Sequence, residues 1–446
     1  MTVQRLLQGS FMVKRKCSWN KITVALLVVF LLVGYLQAQL NRSLVRLQKE
    51  FLQFRLGQAE EWGEYMVVWN TLSVAAVKKN TTSKDDDVTL VTQCSVNNLH
   101  YLIQTNWHWY GPISVALFVP GPHALQAYFG VKYMKKCHKL HRIQFHFVYP
   151  RDRPPVFDAD IFQLWFKFIT PKVDCNRFLE VLRNFTASNY AHGDLQYPQN
   201  TLRNVAKSAS QTKYVFVLDV DVMPSRDTRA QFVKFLSESE FQELRHPAVF
   251  VAPAFEIENR TPMPLSKTQL VHALKQDVVR PFHIETCPKC HKATLYDDWM
   301  AITRTANITT AFELAWAISW EPFYIGLIDV PDYDERFKQY GFDRISHTCE
   351  LYMAGYHFHL LAHAFVVHAG YKRPGEFHLR KEQENRRNWM LFEKVFVPEM
   401  VRKYNSNGKT CLGSNRRQGK AKVSVQNHLK MSSKKKKLKA DINEEL

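Results

Sequence analysis

Two aspartates at the end of an apolar run have the residue type and spacing of a metal site. Asp219 and Asp221 follow the run Tyr214–Leu218 and are separated by one residue. In an extended chain, residues two apart point to the same side, so both carboxylates can share one cation. Carboxylate oxygens suit Mg²⁺ or Mn²⁺, which bridge the phosphate oxygens of nucleotides. The alternative is a turn without a metal, because Asp is common in turns.

A second group of metal-ligand residue types surrounds a Cys-x-x-Cys motif. Cys287 and Cys290 are separated by two residues, and His283 and His291 flank them. A zinc ribbon needs a second Cys pair at suitable spacing, which this sequence lacks. In an oxidising compartment we therefore expect a local disulfide between Cys287 and Cys290 rather than a metal site.

The elements that must position these residues alternate between strands and helices. From Val88 onward, short apolar runs alternate with longer amphipathic stretches, which predicts an α/β fold with a mostly parallel sheet covered by helices. Ligands of open α/β sheets bind beyond the carboxyl ends of the strands. The predicted strands are Val88–Thr92, Ile113–Val119, Ile143–Val148, Tyr214–Leu218 and Val249–Ala254.

Six motifs, in this order along the chain, resemble glycosyltransferase family 49. They are YPQNTLRNVA, YVFVLDVDVMPS, VAPAFEI, SWEPFYI, YDERFKQYGFDRISHTCEL and FVVHAGYK. The resemblance runs from about Val88 to Tyr404. It implies a GT-A fold, meaning a Rossmann-like mixed, mostly parallel sheet flanked by helices. It also implies Mn²⁺ or another divalent cation, UDP-glucuronic acid as donor, inversion at the anomeric carbon, and a xylose-ended O-mannosyl glycan of a glycoprotein as acceptor.

The resemblance carries over to individual positions of the metal site. Asp219 and Asp221 match the family's metal motif, and Asp219 is also expected at the donor. His368, in Val367-His-Ala-Gly, matches the C-terminal His that completes the metal site in similar enzymes. The alternative for His368 is a structural role, as for many histidines after an apolar strand.

Donor binding and proton transfer are expected at two further motifs. Arg203 and Asn204 match the family's Leu-Arg-Asn, and Arg203 can contact phosphates or a carboxylate bidentately. Inversion needs a general base near the acceptor hydroxyl, and Asp334 matches the Asp shared by related enzymes. The alternative for Asp334 is an ion pair with Arg336 or a helix cap. The alternative for Arg203 is a surface position.

Trp320 and Glu321 lie in the stretch that resembles the family's acceptor side. Trp320 can stack on a sugar face, and the alternative is a tryptophan of the core.

Charge and hydropathy at the N-terminus predict a membrane anchor. Ile22–Leu36 contains no charged residue and extends to Leu40 across two Gln, which is long enough to span a slightly thin bilayer. Basic residues precede this run, so the positive-inside rule keeps residues 1–21 cytosolic and sends the rest into a lumen. We therefore expect a single-pass type II protein of the Golgi membrane, with residues 22–40 as the signal anchor.

The basic charge is concentrated at the two ends of the chain. The formal net charge is +19, of which residues 1–21 carry +5 and residues 414–446 carry +7. The body is only mildly basic and lacks helix-turn-helix or zinc-finger spacing, so we expect no nucleic-acid partner. Residues 405–446 are predicted to be a disordered basic tail.

Residues 41–87 are predicted to form a lumenal stem before the catalytic domain, which is predicted over 88–404. Heptad-like apolar residues in this stem suggest self-association, as a homodimer or with a partner glycosyltransferase. They are Leu44, Leu47, Phe51, Phe54 and Leu56.

Two further features fit a lumenal body. Seven of the eight Cys follow the anchor, so disulfides are expected and at least one thiol stays unpaired. Five N-glycosylation sequons also follow the hydrophobic run, at Asn41, Asn80, Asn184, Asn259 and Asn307.

The sequence thus predicts an inverting, metal-dependent glucuronyltransferase. One alternative keeps the fold and changes the donor, to UDP-N-acetylglucosamine or UDP-xylose. Another is a non-catalytic lumenal scaffold that binds glycans or a partner transferase, and intact Asp219, Asp221 and His368 argue against it.

Overall fold

A computed structural model describes most of the chain up to residue 412. The described ranges are 4–56, 59–72, 85–158, 160–161, 175–183, 190, 195–238, 246–302, 308–374, 380–405 and 409–412. The predicted tail beyond residue 412 and the sequons at Asn80, Asn184 and Asn307 lie outside these ranges.

The N-terminal segment is one long helix, α1 (Gln4–Leu56). Within it, Lys21–Arg46 is apolar enough and long enough to cross a membrane, and its described side chains are mostly exposed. A helix that is apolar on all sides has no polar face for water, so lipid is the solvent that suits it. This span contains the predicted anchor, and Asn41 lies near its end.

The rest of the chain forms an α/β domain around two sheets. Fourteen strands are described: β1 (Ala59–Trp62), β2 (Tyr65–Val68), β3 (Asp85–Ser95), β4 (Ile113–Phe118), β5 (Ile143–Pro150), β6 (Thr212–Val217), β7 (Val222–Pro224), β8 (Ala248–Ala252), β9 (Ala254–Ile257), β10 (Val279–Pro281), β11 (Thr310–Leu314), β12 (Phe323–Leu327), β13 (His357–Leu361) and β14 (Val366–Ala369). The five strands predicted from apolar runs are all present, as β3, β4, β5, β6 and β8.

The large sheet has ten strands, in the order β1-β2-β5-β4-β3-β6-β12-β8-β13-β11. Its centre, β5-β4-β3-β6, is parallel, as expected for βαβ units. Strand β12 is antiparallel to both β6 and β8, so the sheet is mixed. The smaller sheet has four strands, in the order β10-β9-β14-β7. Its strands β7 and β9 directly follow β6 and β8 in the sequence. This α/β architecture agrees with the predicted fold class.

Helices of the domain pack on these sheets. They are α2 (Tyr101–Trp109), α3 (His123–His138), α4 (Cys175–Arg183), α5 (Gln199–Ser208), α6 (Thr228–Glu238), α7 (Lys267–Lys275), α8 (Pro288–His291), α9 (Tyr296–Met300), α10 (Asp343–Met353), α11 (Lys381–Leu391) and α12 (Val397–Tyr404). A π-helical turn at Phe392–Phe396 joins α11 to α12.

The catalytic domain is larger than the predicted range of 88–404. Strands β1 and β2 belong to the predicted stem, yet β2 pairs with β5 and extends the large sheet. Phe51, near the end of α1, is buried against Tyr128 with ring centroids 6.2 Å apart. The expected stem therefore packs on the domain, because Phe51 buries apolar surface there.

The C-terminal boundary also differs from the predicted one. Cys411 is buried and forms a disulfide with Cys349 on α10, so residues 409–412 belong to the domain rather than to the tail. A second disulfide joins Cys137 to Cys175, and Cys94 is the buried free thiol of the described part.

Candidate active site

A cleft of about 770 Å³ opens beyond the end of β6. Its walls come from the β6–β7 turn, the start of α5, the end of β14, residues 282–291, residues 319–323 and the start of α10. This is the carboxyl edge of the central parallel strands, where α/β sheets bind their ligands.

Asp219 lies in this cleft and is held by two arginines. One of its oxygens accepts hydrogen bonds from Arg203 and from Arg344, each at 2.9 Å. Burial alone would raise the pKa of Asp219, but Arg344 and Arg203 outweigh it and hold the pKa well below its usual value. Asp219 is therefore ionised at any physiological pH.

Asp221 has different partners from Asp219. Strand β6 ends at Val217, so the two aspartates lie in the turn that follows the strand. The amide of Val222 donates to the carbonyl of Asp219, which closes that turn. Asp221 faces Nε2 of His368 at 3.0 Å and Nζ of Lys372 at 3.7 Å. Burial acts to raise the pKa of Asp221, but His368 and then Lys372 lower it overall.

The pair formed by Asp221 and His368 fits a metal ion. Nδ1 of His368 lies 2.7 Å from the carbonyl oxygen of Gly370 and can only donate to it. Nε2, the other ring nitrogen, faces a carboxylate oxygen of Asp221 at 3.0 Å. A carboxylate oxygen and an imidazole nitrogen that face each other in this way fit a divalent ion with mixed O and N ligands.

The three predicted metal ligands do not converge as a group. Asp221 and His368 face each other, whereas Asp219 is turned towards its arginines. Binding of all three to one ion requires Asp219 to leave at least one arginine.

The predicted donor residues have separate positions. Arg203 is buried at the cleft and binds Asp219 and Asp343, so its charge is shared between two carboxylates. Asn204 is absent from the cleft wall. It donates to the carbonyl of Tyr333 and to Glu335, and accepts from the amide of Tyr333. Its geometry is that of a residue fixing the 333–335 loop, not of a donor ligand.

The predicted base, Asp334, does not line the cleft. Arg336 binds both of its carboxylate oxygens, and Arg336 in turn binds Glu399 at 2.6 Å. The ion-pair alternative for Asp334 is therefore the one observed. The carboxylates of the 319–351 stretch that do line the cleft are Glu321 and Asp343.

The two acceptor-side residues also differ. Trp320 is 1% exposed, packs on Phe358 and donates to the hydroxyl of Thr294. It is a core residue in this structure and is not available to stack on a sugar. Glu321 lines the cleft, and burial, followed by Asp343, raises the pKa of its carboxyl to about 8.

The Cys-x-x-Cys segment forms another part of the wall. Cys287 and Cys290 form a disulfide. His283, His291 and Glu321 lie beside it, with one ligand atom from each within 4.8 Å of the others. Burial lowers the pKa of His283 to about 4 and that of His291 well below its usual value, so both rings are neutral at pH 7.

Several charged residues of the cleft are not identified by the sequence, among them Asp343, Arg344 and Lys372. Asp343 and Arg344 begin α10, within the motif that also contains Asp334. Lys372 is the last residue of the motif that contains His368, just after β14. No local spacing marks these residues, because each reaches the cleft only through the packing of distant elements. The described sequons at Asn41 and Asn259 are exposed.

Comparison with known proteins shows the family of this chain. The family described as "Glycosyl-transferase for dystroglycan" matches residues 87–405. Beta-1,4-glucuronyltransferase 1 of Danio rerio is 35% identical over 82% of this chain and 86% of its own length. The Mus musculus protein of the same name is 34% identical over 74% and 79%. Xylosyl- and glucuronyltransferase LARGE2s of Gallus gallus is 29% identical over 63% of this chain and 32% of its own. Among solved structures, GalNAc-T7 with UDP, GalNAc and Mn²⁺ covers 75% of this chain and is covered over 53% of its own, with a TM-score of 0.37 and 8% identity.

Proposed function

Because the chain belongs to the family of glycosyltransferases for dystroglycan, we propose that it transfers glucuronic acid from UDP-glucuronic acid, with inversion, in β-1,4 linkage to a xylose-ended O-mannosyl glycan. That it is a glycosyltransferase follows from the family. The donor and linkage are supported by relatives named beta-1,4-glucuronyltransferase 1 at 33–35% identity. The acceptor is supported by the dystroglycan description of the family.

The observation that carries the proposal is the cluster of positive charge around the two aspartates. Arg203, Arg344 and Lys372 line one cleft with Asp219 and Asp221. The carboxylates balance these cations, as the ion pairs show. A nucleoside diphosphate is an anion that can replace a carboxylate as their partner. The cleft volume of about 770 Å³ is also in the range of nucleotide-sized sites.

Asp221 and His368 would hold the divalent cation, with Mn²⁺ suited to one carboxylate and one imidazole. Asp219 would join them as a ligand if the diphosphate replaced it as the partner of Arg203 and Arg344. When bound, the cation supplies Lewis-acid stabilisation of the departing diphosphate.

The chain's own residues provide the remaining functions. Arg344 and Arg203 bind and orient the diphosphate, and Lys372 adds positive charge beside Asp221. The acceptor hydroxyl must lose a proton to a base within hydrogen-bond reach. Asp343 is on the cleft wall and replaces Asp334 as the candidate.

A donor screen tests this function. The full chain in detergent is given UDP-glucuronic acid, UDP-N-acetylglucosamine or UDP-xylose with a xylose-ended acceptor and Mn²⁺, and released UDP is measured. We expect release with UDP-glucuronic acid well above the others. Higher UDP release with another donor would mean that the same fold uses a different sugar nucleotide. No UDP release with any of the donors would favour a non-catalytic scaffold. Asp227→Asn, an exposed turn aspartate, is the matched control for Asp221→Asn.

We also propose that the protein is a type II protein of the Golgi membrane with its domain in the lumen. The span Lys21–Arg46 and the basic residues before it support this orientation. The disulfides support an oxidising compartment. Protease added to intact vesicles should leave the domain uncut. Cleavage without detergent would contradict the orientation.

A further inference from the structure

The strongest unassigned chemistry in the cleft is the group of His283, His291 and Glu321. We propose that these three side chains form a second divalent-cation site, of the zinc type, whose open coordination position faces the cleft. One ligand atom from each residue lies within 4.8 Å of the other two. Zinc held by two imidazoles and one carboxylate at about 2.0–2.2 Å needs only a modest contraction of these spacings. This proposal does not depend on which sugar the enzyme transfers.

The buried ring of His291 is the first independent observation. It is 3% exposed, and its Nε2 has no hydrogen-bond partner among the described residues. A buried polar atom without a partner is costly, and each such atom calls for an explanation. A metal ion between His291 and its two neighbours supplies the missing partner.

The backbone around the group is fixed before any ion binds. The Cys287–Cys290 disulfide closes the loop between the two histidines. The amide of Cys287 donates to the carbonyl of His283 at 2.8 Å, and the amide of Glu321 donates to the carbonyl of Cys290 at 2.9 Å. The segment that carries Glu321 and the loop that carries the two histidines are therefore joined by a backbone hydrogen bond, as a preorganised site requires.

Packing also fixes the ring planes. His291 stacks parallel to Phe323, with an angle of 8° between the rings. Phe282 lies between the two candidate sites, 5.2 Å from His291 and 5.4 Å from His368 between ring centroids. The second site is thus separated from the Asp221–His368 pair by an aromatic ring, and one ion cannot serve both.

The donor sets of the two sites select different ions. Carboxylates with one imidazole favour Mn²⁺ or Mg²⁺, whereas two imidazoles with one carboxylate favour Zn²⁺. With three protein ligands, zinc keeps a fourth position, as in catalytic zinc sites. All three residues line the cleft, so an oxygen of a bound sugar or of water can occupy that position.

Calorimetric titration of the full chain with Zn²⁺, in excess Mn²⁺ to occupy the carboxylate site, tests the proposal. We expect about one zinc per chain at this site. The affinity for zinc should fall more than about 100-fold in His283→Asn and in His291→Gln. Losing a residue that only hydrogen-bonds to a metal ligand already lowers metal affinity by up to about 100-fold, and these variants lose a ligand itself. Asn tolerates the left-handed φ of 58° at position 283. His141→Gln, at an exposed histidine, is the matched control and should bind zinc normally.

Two readouts keep the outcome clear. Co²⁺ in place of Zn²⁺ should give the visible absorption of a four-coordinate site in the wild type and in Asp221→Asn, but not in His291→Gln. Thermal unfolding in chelator checks that the variants are folded, and anomalous scattering at the zinc edge locates the ion in wild-type crystals if a variant does not fold. The proposal is overturned if the wild type binds no zinc under these conditions, or if zinc binding survives both histidine substitutions.

Discussion

The two clusters on either side of Phe282 are built in opposite ways. Asp219 and Asp221 are neighbours in sequence and carry charge, and each is neutralised by cationic side chains from elsewhere. His283, His291 and Glu321 are brought together across a disulfide loop and a separate segment, and their rings are neutral. The spacing of the first cluster predicts a shared metal ion, but in the structure Asp219 and Asp221 face different partners. For the second cluster the sequence favours a disulfide over a metal site, yet the ligand atoms of its three side chains lie close together. Close sequence spacing therefore identifies candidate ligands without showing which of them meet.

Loss of Asp221 should have the largest effect on transfer. Asp221→Asn removes the negative charge that faces His368, and with it the cation's several kcal/mol of leaving-group stabilisation. We expect turnover to fall by about 10³-fold or more, while zinc binding at the histidine cluster is unchanged. UDP release and zinc calorimetry on the same preparation check both outcomes. Near-normal turnover would place the metal elsewhere, and Asp227→Asn controls for a general effect of the substitution.

Arg344 separates donor binding from metal binding. Arg344→Ala should weaken UDP binding by about 10–100-fold, the value of a charge-assisted hydrogen bond of ~1.5–3 kcal/mol. It should leave Mn²⁺ affinity near normal or raised, because Asp219 loses one of its two cationic partners. Separate calorimetric titrations with UDP and with Mn²⁺ measure the two affinities. Arg226→Ala, at an exposed arginine, is the control, and equal UDP affinity in both variants would remove Arg344 from the donor site.

Gly370 tests whether the two clusters are independent. Its φ is +90°, and a Cβ there would lie 2.8 Å from Oδ1 of Asn259. Gly370→Ala should cost about 1–3 kcal/mol of stability and disturb the carbonyl that orients His368. We expect Mn²⁺ affinity to fall about tenfold with zinc binding unaffected.

Gly355 provides the matched control for that substitution. Its φ is +84°, but nothing lies within 4 Å of a Cβ at this position. Gly355→Ala should show the backbone strain alone, as a lower Tm with unchanged Mn²⁺ affinity. If the two variants behave alike in Mn²⁺ titrations, the carbonyl of Gly370 does not position His368.

Asp334 lies outside both clusters and should have the smallest effect. Its ion pair with Arg336 is partly exposed, and such pairs are worth about 0–1 kcal/mol. Asp334→Asn should therefore change turnover by less than about fivefold. Asp343→Asn, on the cleft wall, should lower it much more. A loss of about 10²-fold or more in Asp334→Asn would restore it as the base.

These positions show what the sequence could predict. The parallel strands β3 to β6 were recoverable because buried strands appear as uninterrupted apolar runs. The candidate membrane helix was recoverable because its apolar residues continue over the length that a bilayer needs. The family motifs bring Asp219, Asp221 and His368 to one cleft, since all three line it.

The rest depends on contacts that no local pattern encodes. Arg336 neutralises Asp334 through a fold that also brings Glu399 to it from 63 residues further along the chain. Trp320 and Glu321 are adjacent in sequence, yet the side chain of Trp320 is buried in the core and that of Glu321 lines the cleft. The sequence places the residues of β1 and β2 in the stem. Each strand has only four residues, so its alternation of apolar and polar residues is too short to distinguish a strand from a linker.

We expect the cleft to bind a nucleoside diphosphate through a divalent ion held by Asp221 and His368. Calorimetric titration of the full chain with UDP, once with Mn²⁺ and once with excess chelator, measures this directly. We expect UDP to bind with Mn²⁺ and to lose at least about 100-fold in affinity without it, equivalent to ~2.7 kcal/mol. Equal affinity for UDP in the presence of Mn²⁺ and of chelator would contradict the account.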